Sequence, residues 1–164
     1  MSVYDPIEAR LNALGLALPA PMVTPPGMVL PFAPVRVFGN RAYISGHGPL
    51  NPDGTLAAPF GKVDHDVTID QGYQAAKLTA LSILSSLKRE IGNLDRVQAW
   101  LRVFGMVNSS PGFTGHPLII NGFTEFIIEL YGRERGIHAR SAVGMAELPL
   151  NLPVEIEAEV LIRE

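Results

Sequence analysis

The sequence predicts an α+β fold in which two long helices cover one face of a sheet of about six strands. The stretch 68–91 repeats apolar residues at spacings of three and four, which is the period of an amphipathic helix. Shorter runs rich in Val, Ile, Leu and Phe, bounded by Gly, Pro and Asn, have the composition of strands. The chain has 164 residues, which is the usual length of one domain, so we expect a single domain over 1–164.

Composition excludes several classes of protein. Hydrophobic residues make up 47% of the chain and charged residues 18%, which argues against disorder. No apolar run reaches the roughly 18 residues of a membrane span, and the first residues lack the pattern of a signal peptide. There are no cysteines, which excludes disulfides and fits a cytoplasmic location. The net charge is -3 without any basic run, so neither a membrane nor a nucleic acid is an expected partner.

The first 34 residues are predicted to form a helix followed by an extended arm. Asp5 is a suitable N-cap, Pro6 suits the first helical position, and Glu8 can complete a capping box. Gly15 is a natural stop for this helix. The stretch 18–34 is rich in proline and is therefore expected to run extended over the surface.

A β-hairpin follows the arm. The runs 35–38 and 41–45 flank Gly39 and Asn40, a dipeptide typical of a two-residue hairpin turn. The next segment, 46–66, contains the turn sequence Asn-Pro-Asp-Gly and is expected to be a long irregular loop. Long loops in compact domains often carry function.

Two long helices and three further strands complete the predicted fold. Thr68 and Gln71 form a capping box at the start of the first long helix, which ends at Gly92. A strand is expected over 96–107, a turn-forming loop over 108–115, and a second helix over about 117–131, closed by Gly132. Two strands around a Pro-bearing turn end the chain. The predicted buried stripe of the first long helix consists of Ile69, Tyr73, Ala76, Ala80, Leu84, Leu87 and Ile91, and that of the second of Ile120, Phe123, Ile127 and Leu130.

Arg140 opens the first of the two C-terminal strands. Strand alternation places it on one face with Ala142, Gly144 and Ala146, whose small size leaves space beside the guanidinium. A guanidinium can bind a carboxylate through two parallel hydrogen bonds. The alternative is a structural salt bridge to a nearby acid.

Glu155 lies on the last strand with Glu157 and Glu159 on the same face. A carboxyl group in a sheltered cleft can acquire the raised pKa that suits a proton-transfer role. The alternative is that the three glutamates only form an acidic face, exposed to solvent or at an interface, and that none of them transfers a proton. If the two C-terminal strands formed a simple hairpin, Glu155 would face Gly144, about 13 Å along the strand from Arg140. The two could then serve one site only if strands or subunits came together differently, or if a substrate and its water bridged the gap.

Three segments resemble one known family. They are the run R-S-x-V…L-P…V-E-I-E within 139–158, the hairpin VRVFGNRAYISGHGP of 35–49, and Asn121 at the second long helix. Together they resemble the RidA/YjgF family of small trimeric imine deaminases, also known as endoribonuclease L-PSP, as a divergent subgroup. The resemblance implies a chorismate-mutase-like fold and a homotrimer with ligand clefts between its subunits.

The resemblance also implies roles for individual residues. Arg140 would bind a substrate carboxylate, and Glu155 would position a water or shuttle a proton. Two positions depart from the family, because Phe32 falls near a tyrosine that lines the pocket and Ala142 falls where a cysteine is common. An asparagine at 121 could equally be a local structural choice. The substrate-binding residues implied are Arg140, Phe32, Ser45, Gly46, His47, Asn121 and Ala142.

The leading hypothesis is a hydrolytic deaminase of small 2-imino or enamine acids that yields 2-oxo acids and ammonia. It needs no cofactor, because the imine carbon is already electrophilic. The four histidines are scattered without ligand spacing, so no metal site is predicted. One alternative is a non-catalytic protein that binds a small carboxylate in the same cleft. An endoribonuclease is disfavoured by the acidic charge balance, and a chorismate-mutase-type enzyme would need more cations than this cleft offers.

Overall fold

The computed structural model describes residues 6–163 and confirms the predicted α+β fold. Asp5, the predicted N-cap of the first helix, lies outside the described residues. The helices and strands are α1 (Pro6–Ala13), β1 (Val35–Phe38), β2 (Arg41–His47), α2 (Ile69–Ile91), β3 (Val97–Asn108), α3 (His116–Gly136), β4 (Ala139–Met145) and β5 (Val154–Ile162). Two short 3-10 turns, Leu94–Arg96 and Pro149–Asn151, precede β3 and β5.

The sheet has five strands within residues 6–163, in the order β1-β2-β5-β3-β4, where about six were expected. β1 and β2 form the predicted hairpin, with Val35 opposite Ile44 and Phe38 opposite Arg41. β5 pairs antiparallel with both β2 and β3, whereas β3 and β4 run parallel. A parallel pair needs a crossover connection, and α3 supplies it.

Local sequence accounts for the boundaries of the helices. The capping box of α2 is formed on both sides, since Thr68 accepts from the backbone N–H of Gln71 and the Gln71 side chain accepts from that of Thr68. Gly92, with a φ of 80°, closes α2 as predicted. Gly132 interrupts α3 with φ 79° and ψ 162°, and one further turn continues to Gly136.

One face of the sheet is packed under α2 and α3. The residues of β5 that alternate with Glu155, Glu157 and Glu159, namely Val154, Ile156, Ala158 and Val160, are all buried. Trp100 on β3 meets the rings of Phe123 and Tyr131 of α3 edge to face, with centroids 5.6 and 5.8 Å apart. The opposite face, which we term the open face, carries Glu155, Glu157, Glu159, Tyr43 and Phe104, and no helix of residues 6–163 packs on it.

The Pro-rich arm is held by hydrogen bonds to the long loop and to α2. The backbone N–H groups of Ala20 and Val23 donate to the carbonyls of Pro52 and Gly54, both at 2.9 Å. The Ser85 hydroxyl of α2 donates to the carbonyl of Pro19. Among residues 6–163, no helix combines the length and apolar character that crossing a bilayer requires.

The close approach of α2 and α3 depends on Gly122. A Cβ atom at this position would lie 2.0 Å from the carbonyl oxygen of Tyr73 in α2. Next to this contact, the Tyr73 hydroxyl of α2 donates a hydrogen bond to the Glu125 carboxylate of α3 at 2.7 Å. This contact sets the position of α3, and therefore of Asn121, against the sheet.

Replacing Gly122 by Ala should lower the free energy of unfolding by about 1–3 kcal/mol, because the new methyl group would meet backbone that cannot rotate away. Urea denaturation measures the change. Glu134→Ala is a suitable control, since Glu134 is also on α3 but is exposed. Equal stabilities of Gly122→Ala and the control would contradict a tight contact between the helices.

Candidate functional site

Strand β3 lies between the two strands that carry the candidate residues, so β4 and β5 do not form a hairpin. Val103 of β3 pairs with Arg140 on one side and with Ala158 on the other. Met106 pairs with Val143 and with Glu155. Since paired residues share a face, Arg140 lies on the helix-covered face with Val103, and Glu155 lies on the open face. In one chain the two candidate residues therefore point to opposite sides of the sheet.

Arg140 is fixed against α3 by neutral acceptors. Its Nη1 donates to Asn121 Oδ1 and to Thr124 Oγ1, both at 2.9 Å, and its Nη2 donates to the carbonyl of Pro117 at 3.4 Å. The side chain forms no ion pair within residues 6–163, so the structural salt bridge considered above is absent from the described chain. Burial lowers the pKa of Arg140, but an arginine remains protonated in proteins.

The hydrogen bonds of Arg140 leave two donors for a ligand. A guanidinium has five N–H groups, and both of those on Nη1 are used. The N–H of Nε and one N–H of Nη2 make no hydrogen bond within residues 6–163. Two N–H groups on neighbouring nitrogens are what a carboxylate needs for a bidentate pair.

Glu155 lies directly over Gly46 of β2. A Cβ atom on Gly46 would be 2.0 Å from Glu155 Oε1 and 2.9 Å from its Cδ. The register between β2 and β5 shifts between Ile44 and His47, which places an extra residue in β2 at this point. A side chain at residue 46 would therefore displace the Glu155 carboxylate from the position that it occupies.

The environment of Glu155 disfavours its charged form. Its carboxylate has neither a hydrogen bond nor an ion pair within residues 6–163. Burial raises the pKa of this carboxyl group, and the nearby charge of Glu157 raises it further. By contrast, Glu159 forms an ion pair with Arg41, as expected of a surface acid.

A cavity of about 690 Å³ opens on the same face. Phe32 and Ser45 line it, and two exposed arginines, Arg36 and Arg102, lie at its wall. The Ser45 hydroxyl donates to the carbonyl of Ala33 at 2.8 Å, so this side chain ties the end of the arm to β2. The structure therefore brings Phe32 and Ser45 to the open face that also carries Gly46 and Glu155.

His47 is placed differently from the other candidates. Its Nδ1 lies 2.6 Å from the carbonyl of Ser45, and its Nε2 lies 2.8 Å from Ser86 Oγ of α2. Burial lowers the pKa of His47. The side chain thus points into the helix layer and supports the Ser45–Gly46 backbone from behind.

The remaining candidates gather around Arg140. Asn121 is its direct hydrogen-bond partner, and Ala142 follows it on the same face of β4, partly buried against the core. The candidates therefore form two groups, one at the β4 edge and one on the open face. Within residues 6–163, no group of three or more His, Asp or Glu side chains is arranged to hold a metal ion.

Two contacts of Arg140 were not anticipated from the sequence. Thr124 and the carbonyl of Pro117 both hold the guanidinium. Thr124 lies three residues after Asn121, and such residues are neighbours on a helix surface. That spacing was the signal available for Thr124, whereas nothing in the sequence indicates a backbone carbonyl.

Fold and site together define an α+β protein whose sheet carries at one edge an arginine with two unused N–H groups, and on its open face a sheltered carboxyl group. Residues 8–157 match the family described as "YjgF/chorismate_mutase-like, putative endoribonuclease". The chain belongs to this family, which confirms the predicted resemblance and fold.

Relatives support the same assignment. Protein TCP17 of Trypanosoma cruzi is 34% identical over 154 residues, which cover 94% of this chain and 92% of that protein. The crystal structure of Atu1372 from Agrobacterium tumefaciens, a protein of unknown function, is 37% identical with a TM-score of 0.85 and covers 96% of this chain and 93% of that one. E. coli TdcF, whose structure contains bound serine, is 20% identical with a TM-score of 0.58 and covers 88% of this chain and 99% of that one. That last likeness shows the fold alone.

The raised pKa of Glu155 leads to a test by NMR. Replacing Glu157 by Gln should bring the pKa of Glu155 closer to its ordinary value, because one nearby negative charge is removed. The pKa should remain raised, since burial is the larger cause. Titration followed by the ¹³C signal of the side-chain carboxyl group measures both, with Glu155→Gln assigning the signal. A pKa of Glu155 in its ordinary range in the unchanged protein would contradict the sheltered environment.

Proposed function

We propose that this protein is a hydrolytic deaminase of small 2-imino or enamine acids, as the resemblance of its C-terminal strands to the family implies. The substrate carboxylate binds Arg140, and water replaces the imine nitrogen. The products are a 2-oxo acid and ammonia. No cofactor is needed for this reaction, because the imine carbon is itself electrophilic.

The observation that carries the proposal is the incomplete bonding of Arg140. Three neutral acceptors hold the guanidinium in place, and Glu125, the acid whose charge acts on it, forms no ion pair with it. Two N–H groups on neighbouring nitrogens stay available, which matches the two oxygens of a carboxylate. An arginine that served structure alone would be expected to have a carboxylate partner within the chain, since half-buried charges are usually paired.

Glu155 supplies the proton transfers in this proposal. As a carboxylate it takes a proton from a water molecule, whose oxygen attacks the carbon of the protonated imine to form a neutral tetrahedral carbinolamine. The carboxylic acid then gives this proton to the amino nitrogen. As the C–N bond breaks and ammonia leaves, the hydroxyl oxygen becomes the carbonyl oxygen, and its proton passes to the Glu155 carboxylate and from there to the ammonia. A raised pKa suits both steps, because the same group must accept and release a proton near neutral pH. The carboxylate form is lost as the pH falls through the raised pKa, so hydrolysis should decline on the acidic side.

The proposed site requires more than one chain. Arg140 and Glu155 point to opposite faces of one sheet, so they can act on one small molecule only if they come from different subunits. The open face also carries exposed aromatic groups, including Phe32 and Tyr43, that another subunit could cover. We therefore propose a homotrimer of cyclic symmetry in which Arg140 of one subunit faces Glu155 of the next.

A second candidate function is non-catalytic binding of a small carboxylate in the same cleft. The two departures from the family pattern favour it, because Phe32 lacks the tyrosine hydroxyl and Ala142 lacks the cysteine sulfur. Bound serine in TdcF is a precedent for a small amino acid as ligand within this fold. Endoribonuclease activity is disfavoured by the net charge of -3 and the lack of a basic run. A cytoplasmic location is part of the proposal and is supported by the absence of cysteine.

Arg140→Ala should weaken binding of pyruvate by about 1.5–3 kcal/mol, because a charge-assisted bidentate contact is lost. Arg140→Lys should recover only part of the affinity, since an ammonium group lacks the planar fork. Isothermal calorimetry measures both variants, and Arg96→Ala, in which a guanidinium bonded to backbone carbonyls is removed elsewhere, is the control. Unchanged pyruvate binding in Arg140→Ala would mean that Arg140 is structural.

Glu155→Gln should leave pyruvate affinity close to normal and reduce hydrolysis of 2-aminoacrylate by about 10²–10⁴-fold, because the amide cannot accept a proton. The imine is generated in the assay, and release of ammonia is compared with the uncatalysed rate. If the unchanged protein releases ammonia no faster than the uncatalysed reaction does, the non-catalytic binding function is favoured. A fully active Glu155→Gln variant would place Glu155 in a merely acidic surface.

Mixing the two impaired variants tests the arrangement between subunits. Subunits of Arg140→Ala and Glu155→Gln, unfolded together and reassembled in equal amounts, should regain full activity at about a quarter of the sites if each site uses one residue from each of two neighbouring subunits. Either variant reassembled alone should stay as impaired as before. No recovery on mixing, or sedimentation as a monomer at micromolar concentration, would contradict the intersubunit site.

A further inference from the structure

Behind Arg140, two side chains form a hydrogen-bonded chain that leads from its guanidinium to the end of α3. Thr124 Oγ1 lies 2.9 Å from Arg140 Nη1 and 3.0 Å from His138 Nε2. His138 Nδ1 lies 2.8 Å from the carbonyl oxygen of Gly136. All three contacts are partly buried, so water competes with them less than it would on the surface.

Donor and acceptor chemistry assigns every proton in this chain. Arginine can only donate, so Thr124 Oγ1 accepts from Nη1. A carbonyl can only accept, so His138 carries its proton on Nδ1 and donates it to Gly136. Nε2 of the neutral ring is then an acceptor, and the remaining proton of Thr124 points to it. The direction of the Thr124 hydroxyl is therefore set by His138, which keeps the lone pairs of its oxygen available to Arg140.

The surroundings of His138 favour this neutral form. Burial lowers the pKa of His138, and the positive charge of Arg140 lowers it further. The ring also packs edge to face on Phe123, with centroids 6.1 Å apart, which fixes its plane. A protonated ring would instead direct an N–H at an oxygen that already accepts from a cation.

We propose that Thr124 and His138 are positioning residues that hold the Arg140 guanidinium in the orientation in which its Nε–H and remaining Nη2–H face a ligand carboxylate. Asn121 and the carbonyl of Pro117 hold the other side of the group. This inference rests on the proposed role of Arg140 in carboxylate binding. Thr124 and His138 touch neither the ligand nor the reacting atoms, and they act through the arginine alone.

A matched set of threonine variants tests the proposal. Thr124→Val keeps the shape of the side chain and removes the hydroxyl, so pyruvate binding by calorimetry should weaken by about 5- to 10-fold. Thr124→Ser restores the hydroxyl and should bind pyruvate nearly as the unchanged protein does. Thr79→Val is the control, because it removes a buried hydroxyl bonded to the Ala75 carbonyl within α2. If Thr124→Val binds normally, or if Thr124→Ser is as weak as Thr124→Val, the hydroxyl does not position Arg140.

A second measurement separates this proposal from the proposed function. ¹⁵N NMR of His138 should report a neutral ring protonated on Nδ1, and the Arg140 Nη1–H groups should exchange with water faster in Thr124→Val, which lacks their acceptor, than in Thr124→Ser. Neither signal needs a ligand. If the protein binds no pyruvate but gives both NMR signals, the proposed function is overturned, whereas the proposal that Thr124 and His138 position Arg140 stands. A ring protonated on Nε2, or equal exchange rates in the two variants, would overturn the positioning itself.

Discussion

The pairing of β3 with both β4 and β5 is the constraint on which the candidate site depends. Because β4 and β5 are separated by this strand, their faces are set by two independent registers rather than by one turn. Val103 aligns Arg140 with the core, and Met106 aligns Glu155 with the open face. A cation and an acid that are fifteen positions apart in the chain thus end on opposite sides of one sheet. In the proposed trimer, each subunit would supply two different half-sites.

Both half-sites rest on a neutral histidine in the layer behind them. His138 orients Thr124 against Arg140, and His47 lies between the Ser45 carbonyl and the Ser86 hydroxyl. In each case Nδ1 faces a carbonyl two residues back and Nε2 faces a hydroxyl that also accepts from an arginine, Arg89 beside Ser86 and Arg140 beside Thr124. Burial keeps the pKa of both rings low, so neither adds a charge to the site. A neutral histidine ring can hold a functional group in position without adding a charge to the electrostatic field that a ligand meets.

Local signals were sufficient for most of the fold. The capping box at Thr68, the hairpin turn at Gly39–Asn40 and the stop at Gly92 all depend on residues a few positions apart, and the structure confirms each of them. Gly132 interrupts α3 as its sequence indicates, but one further turn continues to Gly136. The order of the strands depends on contacts between distant segments, so periodicity could not exclude a hairpin of β4 and β5. Strand alternation correctly predicted which residues of β4 share a face with Arg140. The residues of α3 that accept its hydrogen bonds could not be predicted, because they depend on how that helix packs on the sheet. The direction of the His47 side chain could not be predicted from local sequence, because an extra residue in β2 changes the face of the sheet to which it points.

That extra residue separates two requirements that a regular strand would impose on the same positions. Two residues of β2, Ser45 and Gly46, face one residue of β5, and regular alternation resumes on either side with Ile44 and His47 both turned to the helices. Loss of Gly46 would give regular alternation and keep Ile44 and His47 on the helix-covered face, but it would leave Ser45, which has a side chain, as the one residue between them. The length of the chain at this point therefore sets the space beside the Glu155 carboxylate separately from the contacts that Ile44 and His47 make with the helices.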